Sequence, residues 1–172
     1  MKPPAEWYAE QDLSKHYMRR ADRPWEEGVS RGQLRRIAKC EATGMVFGKC
    51  DIVIAYTYVE ENRLDKGRKY GMTFKDWEAL ERIPSTAYSF SLEPDHAAVA
   101  LCVVVSSTVL YVSGWSHRRG YDNLSPVCLL AKGIYNYCAA NGFTTLDIGI
   151  GGDPGLDSFK RRLGFRLPEE GM

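Results

Sequence analysis

Hydrophobic positions follow two different periods along the chain, and the change of period separates helices from strands. Apolar residues recur at helical spacing over residues 30–43, 51–66, 73–83, 125–140 and 156–163. They alternate, or run continuously, over residues 45–50, 87–92, 97–105, 109–115 and 144–150, as strands do. The predicted order is αβααβββαβα. It predicts an α/β (α+β) fold, a single domain whose mixed central sheet is flanked by helices.

Local signals mark where several of these helices begin. Ser30 and Ser125 are good N-cap residues, and Pro126 follows Ser125 at a position where a helix needs no N–H donor. Thr73 followed by Asp76 resembles a capping box. Asp51 can cap the segment 51–66, which we interpret as a helix although its β-branched residues favour a strand.

The first 29 residues show neither period. They are polar and dotted with aromatic residues, so they form either a poorly ordered N-terminal arm or a helix that packs on a neighbour. This interpretation leaves residues 30–172 as the folded domain. The N-terminus has no apolar signal-peptide core, and serines interrupt the longest apolar run, residues 97–112. We therefore expect a cytoplasmic protein without a membrane partner.

Charge and cysteine content argue against some kinds of partner and site. Lys plus Arg is 23 and Asp plus Glu is 22, a balance that argues against a dedicated nucleic-acid binder. The chain has five cysteines, an odd number, and no two of them have C-x-x-C spacing. This pattern predicts buried free thiols in a reducing compartment. The histidines His16, His96 and His117 are scattered, so we expect no metal site.

A basic loop precedes the helix at 125–140. It contains His117, Arg118, Arg119 and Gly120, and it leads to Ser125 at the start of that helix. Free N–H groups and the helix dipole make such a place an anion site. A diphosphate such as that of coenzyme A would fit, as would a nucleic-acid or lipid phosphate. A solvated basic loop without a ligand is the alternative.

Several short motifs occur in a familiar order. TVLYVSGW is followed by a polar loop, then by LSPVCLLAKGIYNYCAANGFTTLDIGIGG, and then by GLDSFKRRLGF. Together with the upstream LRRIAKCEATGMVFGKCD, this order resembles the GNAT-like domains of FemABX transferases and is similar to CelD-type acetyltransferases. The resemblance covers roughly residues 34–165. It implies an N-acyltransferase that moves an acyl group from acetyl-CoA or another acyl-CoA to an amine of a small molecule or peptide.

The sequence departs from the wider GNAT pattern in its diphosphate loop. Arg118, Arg119 and Gly120 are followed by Tyr121-Asp122-Asn123, so the second glycine of that loop is missing. Aminoacyl-tRNA is therefore an alternative donor, with the basic stretch at 31–39 and the FKRR segment touching RNA. A GNAT-shaped module that only binds a ligand is another alternative. FemABX-type enzymes often pair two such domains in one chain, so a homodimer or a separate partner would complete the site.

Three residues are candidates for proton transfer. Asp147 lies on an otherwise apolar strand, where burial would raise its pKa and suit it to accept a proton from an amine. Glu93 lies near the turn between two central strands, a region that often supplies a base in GNAT folds. Tyr135, like Tyr111 and Tyr137, could protonate a leaving thiolate. Each candidate has a structural alternative. Asp147 would hydrogen-bond a neighbouring turn, Glu93 would lie in a solvated hairpin, and the tyrosines would serve in aromatic packing.

The remaining candidates would hold the donor. The dipeptide Ser113-Gly114 predicts a bulge in its strand. Such a bulge would separate two neighbouring strands and admit the donor. The FemABX resemblance implies that Lys160 contacts a phosphate or the reacting carbonyl. The basic loop would add Arg118, Arg119, Gly120 and Ser125. We expect direct acyl transfer by positioning and charge stabilisation, without a metal or a covalent intermediate.

Overall fold

A computed structural model describes residues 3–65, 73–83, 85–118, 120, 121 and 123–171. Its six helices are α1 (Pro4–Ala9), α2 (Arg31–Ala42), α3 (Ile52–Asp65), α4 (Phe74–Glu81), α5 (Pro126–Ala140) and α6 (Pro154–Arg162). Its six strands are β1 (His16–Arg20), β2 (Val46–Lys49), β3 (Ala87–Glu93), β4 (Ala98–Val104), β5 (Val109–His117) and β6 (Thr145–Ile150). Short 3₁₀ turns lie at Leu13–Lys15 and Pro168–Glu170.

The six strands form one mixed sheet in the order β1-β6-β5-β4-β3-β2. Neighbouring strands are antiparallel except β5 and β6, which are parallel. Helices α2 and α5 cover one face, while α1, α3 and α4 cover the other. A parallel pair in an otherwise antiparallel sheet needs a crossover, and α5 supplies it.

Both faces of the central strand β4 are buried. Ala98, Ala100 and Cys102 point into the core beneath α2 and α5. The intervening Val99, Leu101 and Val103 point into the core beneath α1, α3 and α4. This double burial explains the continuous apolar run in the sequence, because a strand covered on both sides has no polar face. The α/β architecture with a mixed central sheet is therefore confirmed.

The element order predicted from residue 30 onward is confirmed, together with most of the helix starts. The Ser30 side chain accepts a hydrogen bond from the Gln33 N–H at 3.3 Å. Thr73 and Asp76 form the reciprocal capping box. The segment after Asp51 is helix α3 despite its β-branched residues. The Asp51 side chain accepts a hydrogen bond from the Val53 N–H at 2.8 Å at the start of this helix. Its predicted end at Lys66 lies outside the described residues.

The interpretation of residues 1–29 as an arm or a packing helix did not foresee strand β1. Residues 16–20 pair with β6 and form one edge of the sheet, so the predicted boundary at residue 30 does not follow the sheet. The strand contains Arg19, which is 5% exposed. Its guanidinium donates to the carbonyls of Leu163 at 3.0 Å and Trp25 at 2.8 Å. Backbone carbonyls thus compensate the buried charge of Arg19. A charged residue at a buried position interrupts the alternation of apolar and polar residues by which a strand is predicted.

Ser125 does not cap α5 in the predicted way. Its backbone lies in the left-handed region at φ 48°, and its hydroxyl makes no capping bond with the described residues. The Cys128 N–H instead donates to the Ser125 carbonyl at 3.0 Å. Helix α5 begins with Pro126, which needs no hydrogen-bond acceptor.

Candidate active site

The parallel strands β5 and β6 separate after a short paired section. The paired residues are Val109 with Thr145, Leu110 with Leu146, and Tyr111 with Asp147. Beyond these pairs β5 continues to His117 and β6 continues to Ile150. A cavity of about 260 Å³ lies in the resulting gap, which we call the wedge. Beyond Tyr111 the edge of β5 that faced β6 no longer pairs with it, and residues 112–115 of β5 line the cavity.

Local irregularities in both strands produce the separation. Leu101 pairs with Gly114 and Cys102 pairs with Val112, so Ser113 is the extra residue of a β-bulge in β5. A bulge bends its strand and increases the local twist. In β6, Gly149 has a positive φ of 81°, a conformation that glycine adopts without strain. Ser113 lines the wedge, so the structure places it where the sequence predicted a splayed strand.

Lys160 from α6 lines the wedge although only 3% of it is exposed. Its Nζ donates to the carbonyl oxygens of Ile148 at 2.8 Å, Gly149 at 3.2 Å and Ile150 at 2.6 Å. The last three residues of β6 therefore hold the ammonium group beside the cavity. A cation at this depth creates a strong positive potential, because little water is present to screen it.

Aromatic side chains and one ion pair form much of the remaining cavity wall. Trp77, Tyr111 and Trp115 line the wedge. Burial, with a further effect of the Asp147 charge, raises the pKa of Tyr111 well above its usual value, so its phenol stays protonated. Glu60 and Arg63 pair across the cavity wall, with Arg63 Nε 3.0 Å from Glu60 Oε2. This hydrogen bond lowers the pKa of Glu60.

Asp147 lies beside the wedge, on the sheet face that α1 covers, and it is not one of the cavity-lining residues. It is fully buried. Its Oδ2 accepts a hydrogen bond from the Tyr8 hydroxyl and lies 2.8 Å from His16 Nδ1. Its Oδ1 accepts a hydrogen bond from the Gly149 N–H at 2.7 Å. The carboxylate thereby ties α1 and β1 to the residue where β6 turns away from β5.

Sequence reasoning missed the two side chains that meet Asp147. Tyr8 and His16 both lie in the first 29 residues, which show no periodicity. In the structure the rings of Tyr8, His16 and Tyr111 lie 5.3–5.8 Å apart, centroid to centroid. A histidine in a stretch without a predicted element was the only available signal, and it did not indicate a partner.

Glu93 and Tyr135, predicted as catalytic residues, do not line the wedge. Glu93 lies at the end of β3, accepts a hydrogen bond from the Ser91 hydroxyl at 2.7 Å and pairs with His96 at 3.2 Å. The Tyr135 hydroxyl donates to the carbonyl of Arg23 at 2.6 Å. The structure gives Glu93 the place of a hairpin residue and Tyr135 the place of a core residue that fixes a loop.

The predicted anion loop also lies outside the wedge. The Arg118 guanidinium donates to the Asp95 carbonyl at 2.5 Å and lies over the ring of Tyr58, 5.4 Å from its centroid. Gly120 is exposed with a φ of 93°, and Arg119 lies outside the described residues. The N–H groups of Tyr121 and Leu124 donate to carbonyls of the same loop. Arg118 thus binds the β3–β4 turn.

The start of α5 has a different basic neighbourhood. Burial raises the pKa of the Cys128 thiol to about 12, while the charges of Arg36 and Arg162 act to lower it. The Cys128 thiol donates to Gln33 Oε1 at 3.1 Å. Gln33 is 1% exposed, and its Nε2 has no hydrogen-bond partner within the described part of the chain. Arginines from α2 and α6, together with an amide donor, therefore surround this helix end.

Two features are missing from the part of the chain that the structure describes. None of its helices is both long and apolar enough to cross a membrane. None of its His, Cys, Asp and Glu side chains gather in a group of three or more that could hold a metal ion.

Comparison with known proteins supports the fold, although no family model and no curated protein matches the sequence. FemX superposes with a TM-score of 0.72 at 13% identity, over 88% of this chain and 58% of FemX. The C-terminal DUF2156 domain of a putative lysylphosphatidylglycerol synthetase from Agrobacterium fabrum gives 0.60 at 14% identity, over 88% of this chain and 51% of that chain. A conserved protein of unknown function from Bacteroides thetaiotaomicron gives 0.54 at 9% identity, over 86% of this chain and 54% of that chain.

The chain thus spans between 51% and 58% of the length of these structures. At such low identity the likeness concerns the fold and leaves activity open. The mixed sheet, its single parallel pair and the superposition on FemX agree with the predicted architecture. The chain has the fold found in FemX.

Proposed function

We propose that this chain transfers an acyl group to an amine and that the reaction takes place in the wedge. The observation that carries the proposal is the buried Lys160 ammonium beside the point where β5 and β6 separate. Acyl transfer develops negative charge on the carbonyl oxygen of the donor. A preorganised positive potential and open backbone N–H groups stabilise such a charge.

The wedge also suits the shape of the donor. Ser113 and Gly114 present a bulged edge to the cavity, and an acyl group between the strands would lie along that edge. A Cβ added at Gly114 would lie 2.7 Å from Val59 Cγ1, so the absence of a side chain lets α3 close over the strand. A donor bound in the wedge would displace water from the cavity, which would strengthen each electrostatic contact with the donor.

Tyr111 is the proton donor that we propose for the leaving group. Tyr111 lines the wedge, unlike Tyr135 and Tyr137, the other tyrosines that the sequence offered for this role. Its raised pKa keeps the phenol protonated, as a hydrogen-bond donor must be. A protonated phenol beside the cavity can hydrogen-bond the leaving thiolate or alkoxide and relay to it a proton from the amine nitrogen as the carbon–sulfur or carbon–oxygen bond breaks.

Acyl-CoA is the first donor that we propose. Its phosphates would lie at the start of α5, near Arg36 and Arg162, where a helix N-terminus and two guanidinium groups favour anions. Acetyl-CoA is the simplest molecule of this class. The acceptor would be a primary amine of a small molecule or peptide.

One observation favours aminoacyl-tRNA as the second candidate donor. An open groove of about 790 Å³ lies beside α6 and is lined by Arg161, Arg162 and Arg166, together with Ser30 at the start of α2. Arg20 and Arg23 line a smaller neighbouring cavity of about 190 Å³. Arginines gathered on one side of a chain that is close to neutral overall can contact the phosphates of a nucleic acid.

The experiment that tests the proposal compares the two donors directly. The full chain is incubated with radiolabelled acetyl-CoA, or with radiolabelled aminoacyl-tRNA, and a panel of primary amines. We expect a labelled amide from one donor. Lys160→Met should reduce its formation at least about 100-fold, in the range expected when a stabilising group is lost from the transition state. Lys132→Met is the matched control, because it makes the same substitution at a lysine that pairs with Glu41 and does not line the wedge. We expect it to leave amide formation unchanged.

The outcomes separate the alternatives. Amide from acetyl-CoA alone supports the first donor, and amide from aminoacyl-tRNA alone supports the second. Amide from neither donor would contradict the proposed reaction and favour a module that only binds. Equal activity of Lys160→Met and Lys132→Met would place the reaction somewhere other than the wedge.

A further inference from the structure

His16 and Asp147 form a buried pair beside Tyr111. His16 is 1% exposed and Asp147 is fully buried. His16 Nδ1 lies 2.8 Å from Asp147 Oδ2, while Asp147 Oδ1 accepts the Gly149 N–H at 2.7 Å. Both oxygens of the carboxylate are therefore held in place, and the carboxylate in turn orients the imidazole ring.

The orientation leaves the second ring nitrogen of His16 available. A carboxylate offers only lone pairs, so the nitrogen that faces it carries the proton in a neutral ring. The lone pair then lies on Nε2. This atom is buried and has no hydrogen-bond partner among the residues that the structure describes. A buried lone pair without a donor is unfavourable, so its presence points to a partner that binds there.

The surroundings of His16 suit an ammonium group. The rings of Tyr8 and Tyr111 lie 5.8 Å and 5.6 Å from the imidazole ring, and the ring of Trp7 lies 5.7 Å from that of Tyr111. Aromatic faces attract a cation, and the Asp147 carboxylate adds a negative charge. Tyr111 lines the wedge as well, so it borders both His16 and the proposed donor site.

Helix α1 covers this cluster. It has six residues and no capping side chain among the described residues. A helix this short is unstable by itself and depends on its tertiary contacts. Those contacts include the Tyr8 hydroxyl on Asp147 and the ring of Trp7 against Tyr111. Such a segment opens at lower cost than the sheet beneath it.

We propose that His16 Nε2 is the base that takes the proton from the acceptor amine, that Asp147 positions it, and that α1 is the cover which opens to admit the amine. The inference rests on the proposed function and names its acceptor site. Trp7, Tyr8 and Tyr111 select a primary ammonium over a neutral acceptor.

The proton and bond changes balance without another reagent. The acceptor ammonium gives one proton to His16 Nε2, and the imidazolium is stabilised by Asp147. The amine lone pair forms a bond to the donor carbonyl carbon, and the π electrons move to the oxygen. The carbon–oxygen double bond then re-forms as the carbon–sulfur or carbon–oxygen bond breaks, with its electron pair going to the leaving group, and the second proton of the nitrogen reaches the leaving group through Tyr111. His16 finally releases its proton to solvent.

The first test needs no acyl donor. Long-range proton–nitrogen spectra of the histidine-labelled full chain report the tautomer of His16, and we expect the proton on Nδ1. Diethyl pyrocarbonate, which modifies free imidazole nitrogens, should label His16 about tenfold faster in Tyr8→Phe, a change in line with losing one hydrogen bond to a charged group. Tyr121→Phe is the matched control, because it removes a phenol–carboxylate bond to Asp95 elsewhere.

Either of two results from this test would overturn the inference. One is a proton on Nε2 of the neutral ring. The other is a rate of His16 labelling that is the same in Tyr8→Phe, Tyr121→Phe and the unmodified chain. Both measurements remain valid if the chain proves not to transfer acyl groups, so they separate the site from the proposed function.

The second test uses the donor that supports turnover in the unmodified chain. His16→Asn keeps an N–H toward Asp147 and removes the base, so we expect kcat/KM to fall about 100-fold or more. The rising limb of its pH profile should also disappear. His96→Asn is the matched control in the β3–β4 turn.

The groups that face His16 are Tyr8 from α1, Asp12 before β1, Tyr111 from β5 and Asp147 from β6.

These kinetic outcomes are distinct from a failure of the proposed function. Absence of turnover in the unmodified chain with both donors contradicts the proposed function, and with it the assignment of His16 as its base. Turnover that survives in His16→Asn with an unchanged pH profile contradicts the assignment alone. A loss of turnover that His96→Asn does not share supports it.

Discussion

Lys160 and Asp147 hold the backbone of Gly149 on both sides of its Cα. The Gly149 N–H donates to Asp147 Oδ1 at 2.7 Å, and its carbonyl accepts from Lys160 Nζ at 3.2 Å. Gly149 has a φ of 81°, so the backbone turns at the residue that both side chains grip. Two buried polar side chains therefore determine where β6 leaves β5.

Replacing Lys160 should weaken the fold as well as the proposed reaction. Lys160→Met leaves the carbonyls of Ile148, Gly149 and Ile150 without their ammonium donor. We expect the free energy of unfolding to fall by about 2–3 kcal/mol, since hydrogen bonds to charged groups contribute about 1.5–3 kcal/mol. Urea denaturation measures the change, and Lys132→Met should remain within about 0.5 kcal/mol of the parent chain. Equal stability of the two variants would contradict the role of these contacts.

Asp147→Asn should be similarly costly for a different reason. The asparagine side chain has one oxygen in place of two and turns an N–H₂ group toward Tyr8, His16 or Gly149. We expect a loss of about 3 kcal/mol, the amount typical of breaking a buried charged network. The measurement is the midpoint and slope of urea unfolding, with the exposed Asp22→Asn as control. A loss no larger than that of the control would show that the network contributes little.

At the scale of single elements, capping and periodicity are local signals, and they predicted ten of the elements in their order. Strand β1 escaped prediction because its stabilisation is non-local. The Arg19 guanidinium is paired with carbonyls of residues 25 and 163, and the strand pairs with β6 at the far end of the chain. The prediction that Ser125 caps α5 was wrong. The sequence Ser125-Pro126 does not show whether the serine backbone is extended, as a capping residue requires, or left-handed.

The two serine positions make a matched prediction. Ser30→Ala removes a side-chain cap from α2 and should cost about 1 kcal/mol. Ser125→Ala removes no cap and should change stability by less than about 0.5 kcal/mol. Ser125→Gly should stabilise the chain by up to about 1 kcal/mol, because glycine adopts the left-handed conformation without strain. Thermal unfolding of the three variants checks the order, and a larger loss for Ser125→Ala than for Ser30→Ala would reverse the interpretation.

At the scale of the whole molecule, the sheet order decides which candidates meet. Ser113 and Lys160 could be found from the sequence because a bulge glycine and a family motif indicated them, and both line the wedge. The cluster around Asp147 could not be found, because Tyr8 lies 139 residues before it and meets it only through the β1-β6-β5 arrangement. Glu93 was a candidate by its place near a turn, but β3 lies two strands beyond β5.

The buried thiols predict how the whole molecule responds to alkaline pH. Burial raises the pKa of Cys138 from its ordinary value of 9.0 to about 12. The folded state therefore holds the thiol proton more tightly than the unfolded state, and this stabilisation is complete below pH 9 and is lost as pH rises toward 12. Each such group contributes a slope of about 1.4 kcal/mol per pH unit.

Cys138→Ala should make that loss of stability less steep. Between pH 9 and 12 we expect the unfolding free energy to decline less steeply with pH, by about 1.4 kcal/mol per pH unit, because one fewer thiol releases its proton on unfolding. Any cost of the cavity left by the smaller side chain shifts the curve equally at all pH values. Urea unfolding at several pH values from 7 to about 11 measures both effects. Parallel curves for the two proteins would contradict the raised pKa.

The central claim is that the wedge between β5 and β6, beside Lys160, is the place where a donor carbonyl is held. A crystal structure of the full chain soaked with acetyl-CoA, or with a short aminoacylated RNA end, tests it most directly. We predict density for the acyl carbonyl between residues 112–115 of β5 and residues 148–150 of β6, with its oxygen facing Lys160. Density for either donor that lies only outside the wedge, with the cavity unchanged, would contradict the account.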